Sequence, residues 1–172
     1  MIKYKVIDNF LEKNFFENFK KLMFSENINW YWRNKTVVNE KDSFYFTHSF
    51  YNDWKINSAF FSEYINPVLI KLNCFTPIQI RANLTINQKK NNVSFHTDYN
   101  IKESKTAILY MNTCNSCTVL SKNEKIKIKS KENRLLIFDS LIEHSVLLES
   151  DVLRRIVINF NFFEKDILNN KI

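Results

Sequence analysis

The sequence predicts a mainly β domain of the α+β class, with helices first and a β-rich core after them. Three observations carry this expectation. Near the N-terminus, Phe10, Leu11, Phe15, Phe19, Leu22 and Met23 recur at helical spacing, which marks one face of an amphipathic helix. From Ile78 onward the texture changes to short β-type runs separated by polar residues. Several of these runs alternate with period two, as in Lys125-Ile126-Lys127-Ile128-Lys129, the pattern of a strand with one buried and one wet face.

Taken in order, Asp8 or Asn9 is placed to cap the first helix. Residues 27 to 57, which include Trp30, Tyr31, Trp32, Tyr45, Phe46 and Trp54, read as short strands and loops. A second helix is predicted from about Ser58 to Leu72. Pro67 must sit at a break or junction in it, because proline removes a helical hydrogen bond. The β-type runs follow: Ile78 to Ile86, Thr106 to Met111, Thr118 to Leu120, Lys125 to Lys129, Arg134 to Phe138, Ser145 to Leu148 and Arg155 to Phe163. Short strands at this spacing point to a sandwich or a barrel. The chain contains no glycine, so turns that need positive φ are expected at Asn91-Asn92, Asn112 to Asn115 and Asn123. No repeat or linker divides the chain. Residues 1 to 172 read as one domain, with helical support over about 1–75 and a β core over about 78–163.

Composition narrows the function classes. A chain of 172 residues can bury its own core. Its 45 % hydrophobic and 25 % charged content argues against disorder and against membrane spanning. The first residues hold no continuous apolar stretch of signal-peptide type. Three cysteines cannot all pair, so a reducing, cytoplasmic setting is the default expectation. The net charge of +7 leaves nucleic acid open as a partner. Against that, the lysines are scattered apart from Lys122 to Lys131, and heavy use of Lys, Asn, Ile and Phe also follows from an AT-rich coding bias.

The chemistry concentrates in a few residues. His96-Thr97-Asp98 places two ligand types at i and i+2, on the same side of an extended segment. His144 follows 48 residues after His96, at the start of another β-type run. Two imidazoles and one carboxylate on one face of a metal leave its remaining positions open, which suits non-haem Fe(II). Zinc is the competing metal, but the water-activating groups such a zinc site needs are not evident. Arg155 opens the last strong strand, where alternation puts Arg155, Val157, Asn159 and Asn161 on one polar face. Ile156, Ile158, Phe160 and Phe162 fall on the other. A guanidinium inside a cavity calls for a carboxylate, and its fork suits the far end of a dicarboxylic acid. Arg154 competes for this role. Arg155 is preferred because only its register shares a face with both strand asparagines.

The ordered set of His96-Thr97-Asp98, His144 and Arg155 resembles the 2-oxoglutarate/Fe(II)-dependent dioxygenase superfamily, in particular its small phage-type and prolyl-hydroxylase-like members. Ile80 to Leu84, Leu109 to Thr113 and Asn133 to Ser140 fit the same pattern, so the resemblance covers about residues 78 to 163. It implies a double-stranded β-helix, or jelly roll, with N-terminal helices buttressing one sheet. It implies Fe(II) on His96, Asp98 and His144, and 2-oxoglutarate as co-substrate with its C5 carboxylate on Arg155. Tyr110 would add a hydroxyl to that carboxylate and Asn83 would line the pocket. The implied reaction is hydroxylation of a protein or peptide side chain, as in prolyl hydroxylases, with decarboxylation of 2-oxoglutarate to succinate. The same chemistry on nucleic acid or a small metabolite is the alternative, and a non-catalytic binding module a second one.

The chain also departs from the pattern. Thr113-Cys114-Asn115-Ser116-Cys117-Thr118 replaces a glycine-containing turn, and Val157 stands where many relatives carry serine, which removes one hydrogen bond to the carboxylate. His48 reads as a packing or surface residue and as a candidate substrate contact. Cys114 and Cys117 form a lone pair at C-x-x-C spacing, a weak signal for metal or redox chemistry. The aromatic group around Trp30 to Trp32 fits core and lid packing better than base stacking. A monomer and a homodimer are equally compatible with the sequence.

Overall fold

In the computed structural model of the protein, residues 2–34, 44–86, 94–148 and 151–165 are described. The elements run β1 (Tyr4–Ile7), α1 (Lys13–Met23), β2 (Tyr31–Arg33), β3 (Tyr45–Asn52), β4 (Lys55–Ile56), a single π-helical turn (Phe61–Ile65), α2 (Asn66–Lys71) and β5 (Cys74–Ile86). They continue with β6 (Ser104–Tyr110), β7 (Cys117–Leu120), β8 (Ile126–Lys129), β9 (Arg134–Asp139), β10 (His144–Leu147) and β11 (Arg154–Glu164).

Two antiparallel sheets face each other. The larger has the order β1-β9-β6-β11-β5-β3-β2, with β4 paired to β3, and the smaller has the order β10-β7-β8. Sequence-distant strands neighbour one another in the large sheet, as in a jelly roll. The expected double-stranded β-helix with helices on one sheet is the architecture observed.

Period-two alternation sorts the core into two layers. Ile80, Ala82 and Leu84 of β5, Ala107 and Leu109 of β6, and Ile156, Ile158, Phe160 and Phe162 of β11 turn to the helices. There they pack with Phe16, Phe19, Met23, Ile65 and Val68. The intervening residues turn inward between the sheets, where Ile108, Tyr110, Leu136, Phe138 and Val157 meet Leu120 and Ile128 of the small sheet. Inward positions of β5 and β11 left over from this apolar layer are polar, and they build the site described below.

Local chemistry differs from expectation at several points. Glu12, not Asp8 or Asn9, caps α1, its carboxylate accepting from the backbone N–H groups of Asn14 and Phe15 at 3.0 Å each. Asn9 instead adopts φ 52° and turns the chain out of β1. Asp8 is held by Arg134 and Lys131. Pro67 lies in the first turn of α2, at its junction with the π-helical turn, a position where a missing N–H is tolerated. Positive φ falls on Asn9, Asn73 and Asn133, and on Asp53, Trp54, Glu103, Ser121 and Lys125. Asn112, Asn115 and Asn123 are not among them. Asn123 does sit in a turn, but Ser121 and Lys125 at its ends take the left-handed conformation. Asn91-Asn92 lies outside the described residues. Among the described residues, no helix is long and apolar enough to cross a membrane.

Candidate metal centre

Two backbone hydrogen bonds create the site. His96 donates to the His144 carbonyl at 3.0 Å and His144 donates to the His96 carbonyl at 2.8 Å, so the two residues form an antiparallel bridge at the edge of the small sheet. Residues directly opposite in such a pair project to the same side, and the imidazole centroids lie 4.6 Å apart. Asp98, two residues along from His96, turns to that side as well. Its Oδ1 stands 3.8 Å from His96 Nε2 and 3.9 Å from His144 Nε2. These distances are too long for hydrogen bonds.

The arrangement favours a cation in that gap. His96 Nδ1 lies 3.1 Å from the Ser94 carbonyl; a carbonyl can only accept, so Nδ1 donates there, and Nε2 is the ring nitrogen turned toward Asp98. Burial pushes His144 below its ordinary value, against the opposing pull of Asp98. For Asp98, burial alone would raise the carboxyl pKa, but His144, Arg81, His96 and the Asn161 amide outweigh it and hold the group below its usual range. The Asp98 side chain is 2 % exposed, Oδ1 has no hydrogen bond among the described residues, and Arg81 reaches it only at 3.6 Å, so a closer cation would offset the burial of this charge. Oxygen and imidazole donors converging from one side fit a metal such as Fe(II). The other oxygen, Oδ2, accepts from Asn159 Nδ2 at 3.3 Å and Asn161 Nδ2 at 3.5 Å. Asn161 is fixed in turn by the Thr106 hydroxyl at 2.9 Å, which lies 3.1 Å from Ser140 Oγ.

His96, Asp98 and His144 line a narrow cavity together with Arg81, Asn83 and Thr85 of β5, Thr118 of β7, Val146 of β10, and Arg155, Val157 and Asn159 of β11. Arg155 is 4 % exposed. Its Nε donates to Ser130 Oγ at 2.8 Å, its Nη2 to Thr118 Oγ1 at 3.4 Å, and the Tyr110 ring lies 5.4 Å away. Among the described residues no carboxylate pairs with it. Burial pushes its pKa below the ordinary value, the expected effect on a guanidinium without an anionic partner. Arg155 and Asn159, which bonds Asp98, are four residues apart, roughly 13 Å along the strand, so the guanidinium and the His96, Asp98 and His144 cluster sit at separate ends of one cavity wall. Arg154 is exposed and stacks over Phe24 at 5.0 Å.

Other sequence candidates fall as follows. Asn83 and Val157 line the cavity, and Asn83 Oδ1 is buried without a partner among the described residues. Tyr110 lies beneath Arg155, its hydroxyl donating to Thr118 Oγ1 at 2.8 Å. His48 is apart from this cavity: its ring nitrogens lie 2.9 Å from the Asn29 carbonyl and 2.9 Å from Ser58 Oγ. Cys114 and Cys117 are both buried. Arg81, which the sequence reading gave no role, stands 3.6 Å from Asp98 Oδ1. Its signal was the alternation Arg81-Asn83-Thr85, which puts three polar residues on the inward face of β5.

No protein-family model and no curated protein matches the chain. Solved structures do. A prolyl hydroxylase from Trichoplax adhaerens, in complex with a hypoxia inducible factor peptide fragment, superposes with a TM-score of 0.65 at 15 % identity, covering 98 % of this chain and 87 % of that one. A 2OG-Fe(II) oxygenase family oxidoreductase from Burkholderia pseudomallei superposes with a TM-score of 0.72 at 8 % identity, over 92 % and 84 % of the two chains. The fold is that of the 2-oxoglutarate/Fe(II) oxygenases. A third structure with this fold, the epimerase SnoN in complex with Fe3+, alpha ketoglutarate and nogalamycin RO, gives a TM-score of 0.63 at 11 % identity over 95 % of this chain and 79 % of that one.

Proposed function

We propose that this protein is an Fe(II)- and 2-oxoglutarate-dependent dioxygenase that hydroxylates a side chain of a protein or peptide substrate. The observation that carries the reading is the convergence of His96, Asp98 and His144 on one gap in the same cavity as a buried arginine that lacks an anionic partner among the described residues. His96 Nε2, His144 Nε2 and Asp98 Oδ1 would hold the metal from one side and leave the other open. Arg155 would receive the distal carboxylate of 2-oxoglutarate in its fork.

Bound together, Fe(II) and 2-oxoglutarate supply oxygen activation, coupling decarboxylation to succinate with hydroxylation. The chain's own residues bind, orient and exclude water. Asn159 and Asn161 engage Asp98 Oδ2, which leaves Oδ1 for the metal. Ser130 and Thr118 fix the Arg155 guanidinium over the Tyr110 ring, so that its free donors face the cavity. Asn83 offers a polar contact along the co-substrate, and Ile108, Val146 and Val157 keep the cavity wall apolar. The prolyl hydroxylase likeness, which spans nearly the whole chain, supports a protein or peptide as prime substrate. A binding module that merely retained the fold would need neither convergent acceptors nor an unpaired buried guanidinium.

Ligands that bind only the native state stabilise it. Under anaerobic conditions, Fe(II) with 2-oxoglutarate at about a hundredfold excess over Kd is expected to add about 2.7 kcal/mol, or roughly 5–10 °C in Tm. His96→Ala should lose the metal-dependent part of the rise. A wild-type Tm unmoved by both ligands would sink the proposal.

A further inference from the structure

Beside the metal cavity lies a wider groove of about 320 Å³, within the size range of small-ligand sites. Tyr45 and Arg81 line both spaces, so the groove adjoins the centre directly. Its floor is neutral and polar, formed by Thr47, Ser49, Asn52 and Gln79, and Arg33 stands at its margin. The strand register explains the arrangement. Arg81 of β5 sits between Asn159 of β11 and Ser49 of β3, and Arg33 of β2 lies opposite Tyr45.

The charges on this lining do not balance. Among the described residues lining the two spaces, Arg33, Arg81 and Arg155 stand against one carboxylate, Asp98. A divalent metal and a dianionic co-substrate would cancel each other, and Arg155 and Asp98 offset in the same way. Arg33 and Arg81 are left over. Arg81 also has donors to spare among the described residues: its Nε is buried without a partner there, and its Nη2 reaches Asp98 Oδ1 only at 3.6 Å. A partly buried guanidinium in this state favours an anion, and its planar fork matches a carboxylate. Among the described residues that line the groove there is no lysine, whereas nucleic acid calls for a stripe of basic residues.

We propose that this groove receives the prime substrate, and that Arg81, assisted by Arg33, selects an acidic side chain flanking the residue to be oxidised. This rests on the dioxygenase reading and narrows its substrate class to acidic segments of a protein or peptide.

The test measures anaerobic binding of a fluorescein-labelled, proline-containing peptide flanked by glutamates to the protein supplied with Fe(II) and 2-oxoglutarate. Glutamine and lysine versions of the peptide, and a labelled single-stranded oligonucleotide, run beside it. The glutamate peptide is expected to bind about tenfold more tightly than the glutamine one, the scale of a charge-assisted contact. Arg81→Gln should erase that preference. Arg33→Gln, which leaves the Asp98 contact untouched, should reduce it. Equal affinity for the glutamate and glutamine peptides, a preference that survives both substitutions, or tighter binding of the oligonucleotide overturns the inference. The Tm rise with Fe(II) and 2-oxoglutarate, recorded on the same samples, separates the two failures. If the rise is present without a glutamate preference, only the acidic-substrate inference falls; if the rise is absent, the dioxygenase reading falls with it.

Discussion

Asn161 touches nothing outside the protein, yet it sets the posture of the residue on which the centre turns. Its amide donates to Asp98 Oδ2, and its own carbonyl oxygen is held by Thr106. Residues that orient a metal ligand typically contribute about 10–100-fold in affinity. Asn161→Ala is therefore expected to weaken metal binding by about that factor, measured by titration of the folded protein with Fe(II) or Mn(II). An unchanged affinity would show that Asp98 is positioned without Asn161, by Asn159 and the backbone. At this scale the sequence was informative wherever strand alternation applied: Arg155, Val157, Asn159 and Asn161 share a face as their spacing implies. Ser130 and Thr118, which fix Arg155, carried no such signal. They meet it through the small sheet, and a hydroxyl is too common a group to single out at that sequence distance.

Among the elements, β1 is the one the sequence concealed. Tyr4-Lys5-Val6-Ile7 is only four residues long and mostly exposed, so neither length nor burial marks it. Pairing with β9 supplies its stability, with Tyr4 opposite Phe138 and Ile7 opposite Leu135. Asp8 then pins the end of the pair, through Arg134 Nε at 2.6 Å and Lys131 Nζ at 2.9 Å. The hydrogen bond from Arg134 leads the effects that hold the Asp8 carboxyl well below its ordinary value. A depressed carboxylate stabilises the fold above its unfolded value, and that contribution fades as pH falls through the acid range. Because Asp8 is 38 % exposed, solvent screening keeps the effect small. Asp8→Asn should cost about 0.5–1 kcal/mol in urea unfolding at pH 7, and measurably less at pH 3. An equal loss at both pH values would contradict the ion-pair account. By contrast, β11 lies at the heart of the large sheet. Phe160, fully buried against the helices, should cost about 3–5 kcal/mol when cut to alanine, read from the same unfolding curves.

Over the whole molecule, α1, α2 and the β-rich stretch after them were legible because the hydrophobic period switches from helical to two at about Ile78, although β1 precedes α1 and β2 to β4 lie between the helices. Sheet membership was not, since the pairing of β11 with both β5 and β6 joins segments that periodicity treats separately. The resemblance to 2-oxoglutarate/Fe(II) dioxygenases supplied that topology, and the superposed oxygenase structures share it. What the folded chain adds is the bridge between His96 and His144, which brings residues 48 positions apart onto one gap. The central claim is that this gap and Arg155 act together. Succinate formation from 2-oxoglutarate, with added Fe(II) under air, tests it most directly when wild type is compared with His96→Ala and Arg155→Ala. We predict turnover by the wild type and a loss of at least about tenfold in each variant. Wild-type turnover that persists undiminished in both variants would contradict the claim, because neither the metal ligand nor the guanidinium would then serve the reaction.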